Sequence, residues 1–94
     1  MEIEARAVLV RIEGHVQGVG FRAWTLREAQ ALGLAGWVRN DADGSVAACF
    51  EGPQEAIDRM LDRLRIGPPG AAVANVSSEL SAVEDTGSGF RVTR

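Results

Sequence analysis

A chain of 94 residues with 46% apolar and 24% charged side chains has the composition of one globular domain, expected over residues 1–94. A formal charge of −3 argues against nucleic acid held by bulk charge, and no run approaches the roughly 18 apolar residues of a membrane span. With no lysine, a single histidine and a single cysteine, one chain cannot supply a P-loop lysine, a Schiff base, an internal disulfide or a zinc site of Cys and His ligands.

The start, Met1-Glu2-Ile3-Glu4, is acidic where a signal peptide would be basic, so a cytoplasmic location is expected. Residues 6–13 alternate, with Val8, Val10 and Ile12 on one face and Arg11 and Glu13 on the other, which predicts a half-buried strand. Gly14-His15-Val16-Gln17-Gly18-Val19-Gly20 is too rich in glycine to continue it. From Phe21 to Leu32 the pattern is helical, with Phe21, Leu26, Ala29 and Leu32 on one stripe and Gly33 as the stop. Arg22 lies on the same inward stripe, an unusual place for a merely solvated charge.

Leu34–Asn40 reads as a second strand, with Gly36, Val38 and Asn40 on one face and Trp37 and Arg39 on the other. The turn Asp41-Ala42-Asp43-Gly44 joins it to a third strand carrying Val46, Ala48 and Phe50. Pro53 opens a second helix, whose apolar face is Ile57, Met60, Leu61 and Leu64 and whose exposed side carries Arg59, Arg63 and Arg65. Gly67-Pro68-Pro69-Gly70 stops it. A fourth strand is expected within 72–83, around Val76, Leu80 and Ala82, and a short last one at Phe90 and Val92 after Gly87-Ser88-Gly89. Strand, helix, hairpin, helix, strand is the βαββαβ order of a ferredoxin-like α+β fold, an antiparallel sheet with both helices on one face.

Two features point to chemistry. A glycine-bearing loop leading into a helix presents main-chain N–H groups without intrahelical partners, and the helix dipole favours an anion there. Arg22 adds a planar fork suited to two phosphate oxygens. Asn40 closes the second strand and reaches the start of the first helix if that strand lies beside the first. The plainer readings are a structural turn for the loop and a turn-forming asparagine for Asn40. His15 is read as tuning the loop's electrostatics or as exposed, Cys49 as structural, Trp24 and Trp37 as packing residues with a contact to the acyl group at the site's edge as the alternative, and Asp41 and Asp43 as turn residues.

The residues Gly14-His15-Val16-Gln17-Gly18-Val19-Gly20-Phe21-Arg22 resemble the acylphosphatase signature G-x-V-Q-G-V-x-F-R, and Leu32 to Asn40 resemble its second block, L-G-L-x-G-W-V-x-N. Asp43-Gly44-x-Val46, Gly52, Gly67-Pro68-Pro69-Gly70 and Gly89-Phe90-Arg91 continue the likeness over nearly the whole chain. The chain departs from many members in ending Val92-Thr93-Arg94 rather than on an aromatic or apolar residue. The resemblance implies a ferredoxin-like fold and hydrolysis of acyl phosphates to a carboxylate and inorganic phosphate by direct water attack, without metal or cofactor. It implies that main-chain N–H groups of Val16, Gln17, Gly18, Val19, Gly20 and Phe21 bind phosphate with the Arg22 side chain, and that Asn40 orients the water. The expected partner is a small acyl phosphate, the expected state a monomer, with no nucleic acid and no membrane.

Three rivals share the fold. A non-catalytic acylphosphatase-like domain, such as that fused to the larger hydrogenase maturation proteins, is disfavoured by the 94-residue length and by the presence of both Arg22 and Asn40. An RNA-recognition module needs sheet-face aromatics and basic character, against three Phe, two Trp, no Tyr and a negative charge here. A small-molecule sensor would show ligand-dependent dimerisation.

Overall fold

A computed structural model describes residues 5–83 and 89–93. The elements are β1 (Arg6–His15), α1 (Phe21–Ala31), β2 (Ala35–Asn40), β3 (Val46–Gly52), α2 (Gln54–Ile66), β4 (Ala72–Ser81) and β5 (Phe90–Val92). They form one five-stranded sheet in the order β4-β1-β3-β2-β5. Each neighbouring pair among β4, β1, β3 and β2 is antiparallel, and β5 adds parallel to β2, with Gly36 opposite Phe90 and Val38 opposite Val92. The sheet is therefore mixed rather than wholly antiparallel. The alternation of a short strand gives its two faces but not the strand it will join.

β1 follows its alternation: Val8, Val10 and Ile12 are buried, and Arg11 is exposed. It runs on to His15, beyond the end that its side chains predict. Register with β4 shifts between Glu13 and Gly14, and Gly14 has φ 128 with a hypothetical Cβ 2.2 Å from the Ala72 carbonyl oxygen. The glycine that marks the end of the apolar pattern is what allows the two backbones to stay paired. Gly36 serves the same end on β2, where a Cβ would lie 1.8 Å from the Cys49 oxygen. β4 ends at Ser81, so Ala82 lies outside it, and the turn expected at Gly87-Ser88 falls outside the described residues.

The core lies between the sheet and the helices. Ile12, Val38, Val46, Phe50, Ile57, Met60 and Leu64 are fully buried, and Phe50 stacks on Phe90 with ring centroids 5.4 Å apart. Burying side chains of this size contributes about 1.5–3 kcal/mol each. α1 buries Phe21, Thr25 and Ala29, and its N-terminal Phe21 meets Trp24 edge-on at 5.4 Å. Arg63 of α2 reaches Glu28 of α1 at 3.4 Å, an ion pair across the two helices. Arg59 and Arg65 pair within α2 with Glu55 and Asp62. Among the described residues, no helix is long and apolar enough to cross a membrane.

Candidate active site

The chain between β1 and α1 is pinned at one end by Val16, 1% exposed, and then turns through Gly18 and Gly20, both at φ 76. No atom lies within 4 Å of a Cβ built on either glycine. Their requirement is therefore the left-handed backbone, and the space beside them is open. Gly20 stands at the N-cap of α1 and offers no side chain to it, and the first turn holds no acidic residue. The first backbone bond of the helix runs from the Trp24 N–H to the Gly20 oxygen at 3.0 Å. Among the described residues, the main-chain N–H groups of residues 17–23 meet no protein acceptor. A helix start usually borrows an oxygen from Ser, Thr, Asp or Asn. Here the described residues supply no such oxygen, and the open donors lie at the positive end of the helix dipole, where an anion is favoured.

These groups open into a cleft of about 480 Å³ lined by Val16, Gln17, Gly18, Gly20, Phe21, Arg22, Ala23, Leu26, Asn40 and Val92. Arg22 is half-buried there, and no carboxylate pairs with it among the described residues. An arginine in the first turn of a helix stands against the dipole, and with no acid beside it among the described residues this arrangement suits a bound anion. Asn40 enters from the end of β2. Its Oδ1 is buried without a hydrogen-bond partner among the described residues, a state that costs about 1–3 kcal/mol unless something fills it. None of the described lining residues is a carboxylate, thiol or imidazole.

Asn40 does not arrive by the route expected from the sequence. β2 is not beside β1; β3 lies between them. Asn40 still reaches the cleft because α1 packs over β2 and β5 and so carries its own N-terminus above the end of β2. Val19 also differs from its neighbours in the loop: its side chain packs against the core and does not line the cleft.

The Gln17 side chain is a feature that sequence reasoning missed. Its Nε2 donates to the Asp41 oxygen and to the Ser45 oxygen, each at 2.8 Å. One carboxamide thus ties the glycine loop to the β2–β3 turn, next to Asn40. A glutamine beside a glycine hints at polar use of the loop, but its partners lie 24 and 28 residues away and no local pattern names them. The turn itself is held by the Asp41 N–H bond to the Ser45 oxygen at 2.9 Å and by Asp43, whose Oδ1 accepts from the Ser45 hydroxyl and N–H at 2.6 and 3.0 Å. Those two bonds, with the Arg11 guanidinium alongside, lower the Asp43 pKa to about 2. Asp41 and Asp43 are accordingly turn residues, not an acid–base pair.

The remaining candidates lie elsewhere. His15 is exposed at the end of β1 and does not line the cleft. Trp24 packs against the core. Trp37 faces the other side of the sheet, under the Arg39 guanidinium at 4.8 Å, and Arg39 pairs with Asp41 at 2.9 Å. Cys49 is buried in β3. Among the described residues, no group of three or more His, Cys, Asp or Glu side chains is placed to hold a metal ion.

Comparison with known proteins adds a second kind of observation. Residues 8–92 match the acylphosphatase family model. A curated acylphosphatase of Rhizobium meliloti (strain 1021) is 56% identical over 94 residues, covering 100% of this chain and 99% of the relative. The structure of an acylphosphatase from Coxiella burnetii superposes with a TM-score of 0.91 at 40% identity, over 95% of this chain and 93% of the other. That of an acylphosphatase from Bacillus subtilis gives 0.90 at 32% identity, over 95% and 99%.

Proposed function

The chain belongs to the acylphosphatase family and carries that family's activity, hydrolysis of the carboxyl–phosphate bond of acyl phosphates; we propose that it does so by direct water attack within the cleft between the glycine loop, Arg22 and Asn40. In this reading the main-chain N–H groups of residues 16–21 and the Arg22 fork hold the phosphoryl oxygens. Phosphoryl transfer spreads negative charge over those oxygens, so fixed donors aimed at them stabilise the transition state. The carboxamide of Asn40 holds a water in line with the bond that breaks. An amide is no base, so the water proton passes to a phosphate oxygen of the substrate. The leaving group is a carboxylate whose acid has a pKa of about 4, and it departs without a general acid. A cleft whose described lining holds no carboxylate, thiol or imidazole suits a reaction that asks only for position and charge.

The observation that carries the proposal is the convergence on one space of three groups that no described residue satisfies: the loop amides, the Arg22 guanidinium and the Asn40 Oδ1. We further read the protein as a single-domain, cytoplasmic monomer that needs no metal and binds no nucleic acid. The test is phosphate release from acetyl phosphate with chelator present, against a simple phosphomonoester. Chelator-resistant release confined to the anhydride is the expected result. Asn40→Ala should lose about 10²–10³ in kcat while inorganic phosphate still inhibits competitively. Equal turnover by this variant and the parent would remove Asn40 from the mechanism.

A further inference from the structure

The Asn40 Oδ1 has no hydrogen-bond partner among the described residues, so no bond to that oxygen fixes the direction in which the carboxamide points. Its aim then depends on the main chain at the end of β2, and both neighbours of Asn40 restrain that chain. Side chains alternate along a strand, so Arg39 stands on the sheet face opposite to Asn40, away from the helices. The Arg39 Nε donates to the Asp41 Oδ1 at 2.9 Å. The residues before and after Asn40 are thus tied to each other across it. Asp41 is held through its backbone as well. Its N–H donates to the Ser45 oxygen at 2.9 Å, and its oxygen accepts from the Gly44 N–H at 3.2 Å and from the Gln17 Nε2 at 2.8 Å. Arg39 is anchored in turn, with its guanidinium 4.8 Å from the ring centroid of Trp37.

An exposed ion pair adds little to folding stability, and the side chains of this one are 45% and 29% exposed. Rate is a more sensitive measure, because a displacement of about 1 Å at a reacting group can cost on the order of 100-fold. We infer that Arg39, resting on Trp37, and Asp41 form a clamp on the rear face of the sheet that positions Asn40 for attack on phosphorus. Neither Arg39 nor Asp41 lines the cleft, so both are positioning residues that act through Asn40. The inference rests on the proposed role of Asn40 in holding the water. It gives the charged end of β2 a task on the face of the sheet where no substrate binds.

The experiment measures kcat for acetyl phosphate and the competitive inhibition constant of inorganic phosphate. The variants are Arg39→Met, Asp41→Ala and Asp41→Asn, with Arg39→Met repeated in an Asn40→Ala background. Methionine keeps an apolar stem over Trp37 and removes the guanidinium. Arg39→Met and Asp41→Ala should each lower kcat about two- to fivefold, the worth of one exposed ion pair read as a rate, with phosphate inhibition unchanged. Asp41→Asn retains an oxygen for the Arg39 Nε and should keep more turnover than Asp41→Ala. In the Asn40→Ala background Arg39→Met should leave the residual turnover as it is, because the group it positions is gone. Parental kcat in both Arg39→Met and Asp41→Ala overturns the clamp. So does an equal loss with and without Asn40, the mark of a general structural role. Parental turnover by Asn40→Ala itself would instead overturn the mechanism, and the clamp with it.

Discussion

Replacing Arg22 by methionine separates a functional arginine from a structural one. No carboxylate pairs with Arg22 among the described residues, so its loss orphans no acid. Methionine and arginine have nearly equal helix propensity. Removing a cation from the first turn relieves its repulsion by the helix dipole, a gain of about 0.3–1 kcal/mol. For a domain of this size each kcal/mol moves Tm by roughly 4–8 °C, so the ligand-free variant should melt a few degrees above the parent. Inorganic phosphate at 100 times its Kd should stabilise the parent by about 2.7 kcal/mol, and most of that should vanish in the variant. Turnover of acetyl phosphate should fall about 10²–10³-fold. The assays are thermal unfolding by circular dichroism with and without phosphate, and steady-state hydrolysis. A variant that melts well below the parent and keeps its turnover would make Arg22 a packing residue and refute the reasoning.

Gln17→Ala removes two 2.8 Å hydrogen bonds, worth about 0.5–1.5 kcal/mol each, and should lower stability to urea by about 1–3 kcal/mol and kcat/KM with it. A urea midpoint equal to that of the parent would show the bonds to be idle. Gly20→Ala meets no neighbouring atom and bears only the left-handed backbone, about 1–2 kcal/mol, whereas Gly36→Ala drives a methyl into the Cys49 oxygen and should not yield a folded protein. Soluble expression and circular dichroism of the two variants decide the contrast. Asp43 is held at a pKa of about 2 in the fold, below its ordinary value of 3.8. A depressed carboxylate stabilises the fold above its unfolded pKa and loses that contribution as pH falls through the folded one, so the parent should weaken between about pH 4 and pH 2. Asp43→Asn should flatten that limb of the Tm–pH curve, and an unchanged limb would place the acid sensitivity elsewhere.

The local elements were legible because their causes are local. Alternation at Val8, Val10 and Ile12 and the helical spacing of Ile57, Met60 and Leu64 each need only neighbouring residues, and these side chains are buried as the patterns require. Arg22 stood out because a charge on an inward stripe breaks the pattern around it. What the sequence did not show depends on which distant segment comes alongside. The parallel seat of β5 next to β2, the insertion of β3 between β1 and β2, and the partners of Gln17 are all outcomes of chain crossing. Val92 illustrates the point: on paper it is an apolar residue near the terminus, and only the placement of β5 beside α1 turns it toward the cleft.

The Gln17 carboxamide has a mechanical consequence. Displacement at phosphorus depends on the separation and angle between the attacking oxygen and the bound phosphoryl group, and the absolute position of either matters little. By fastening the glycine loop to the corner that carries Asn40, one side chain puts both halves of the proposed reaction coordinate on a common frame. In the proposed mechanism a displacement of the rim then carries nucleophile and electrophile together, where two independently hinged loops would lose their alignment.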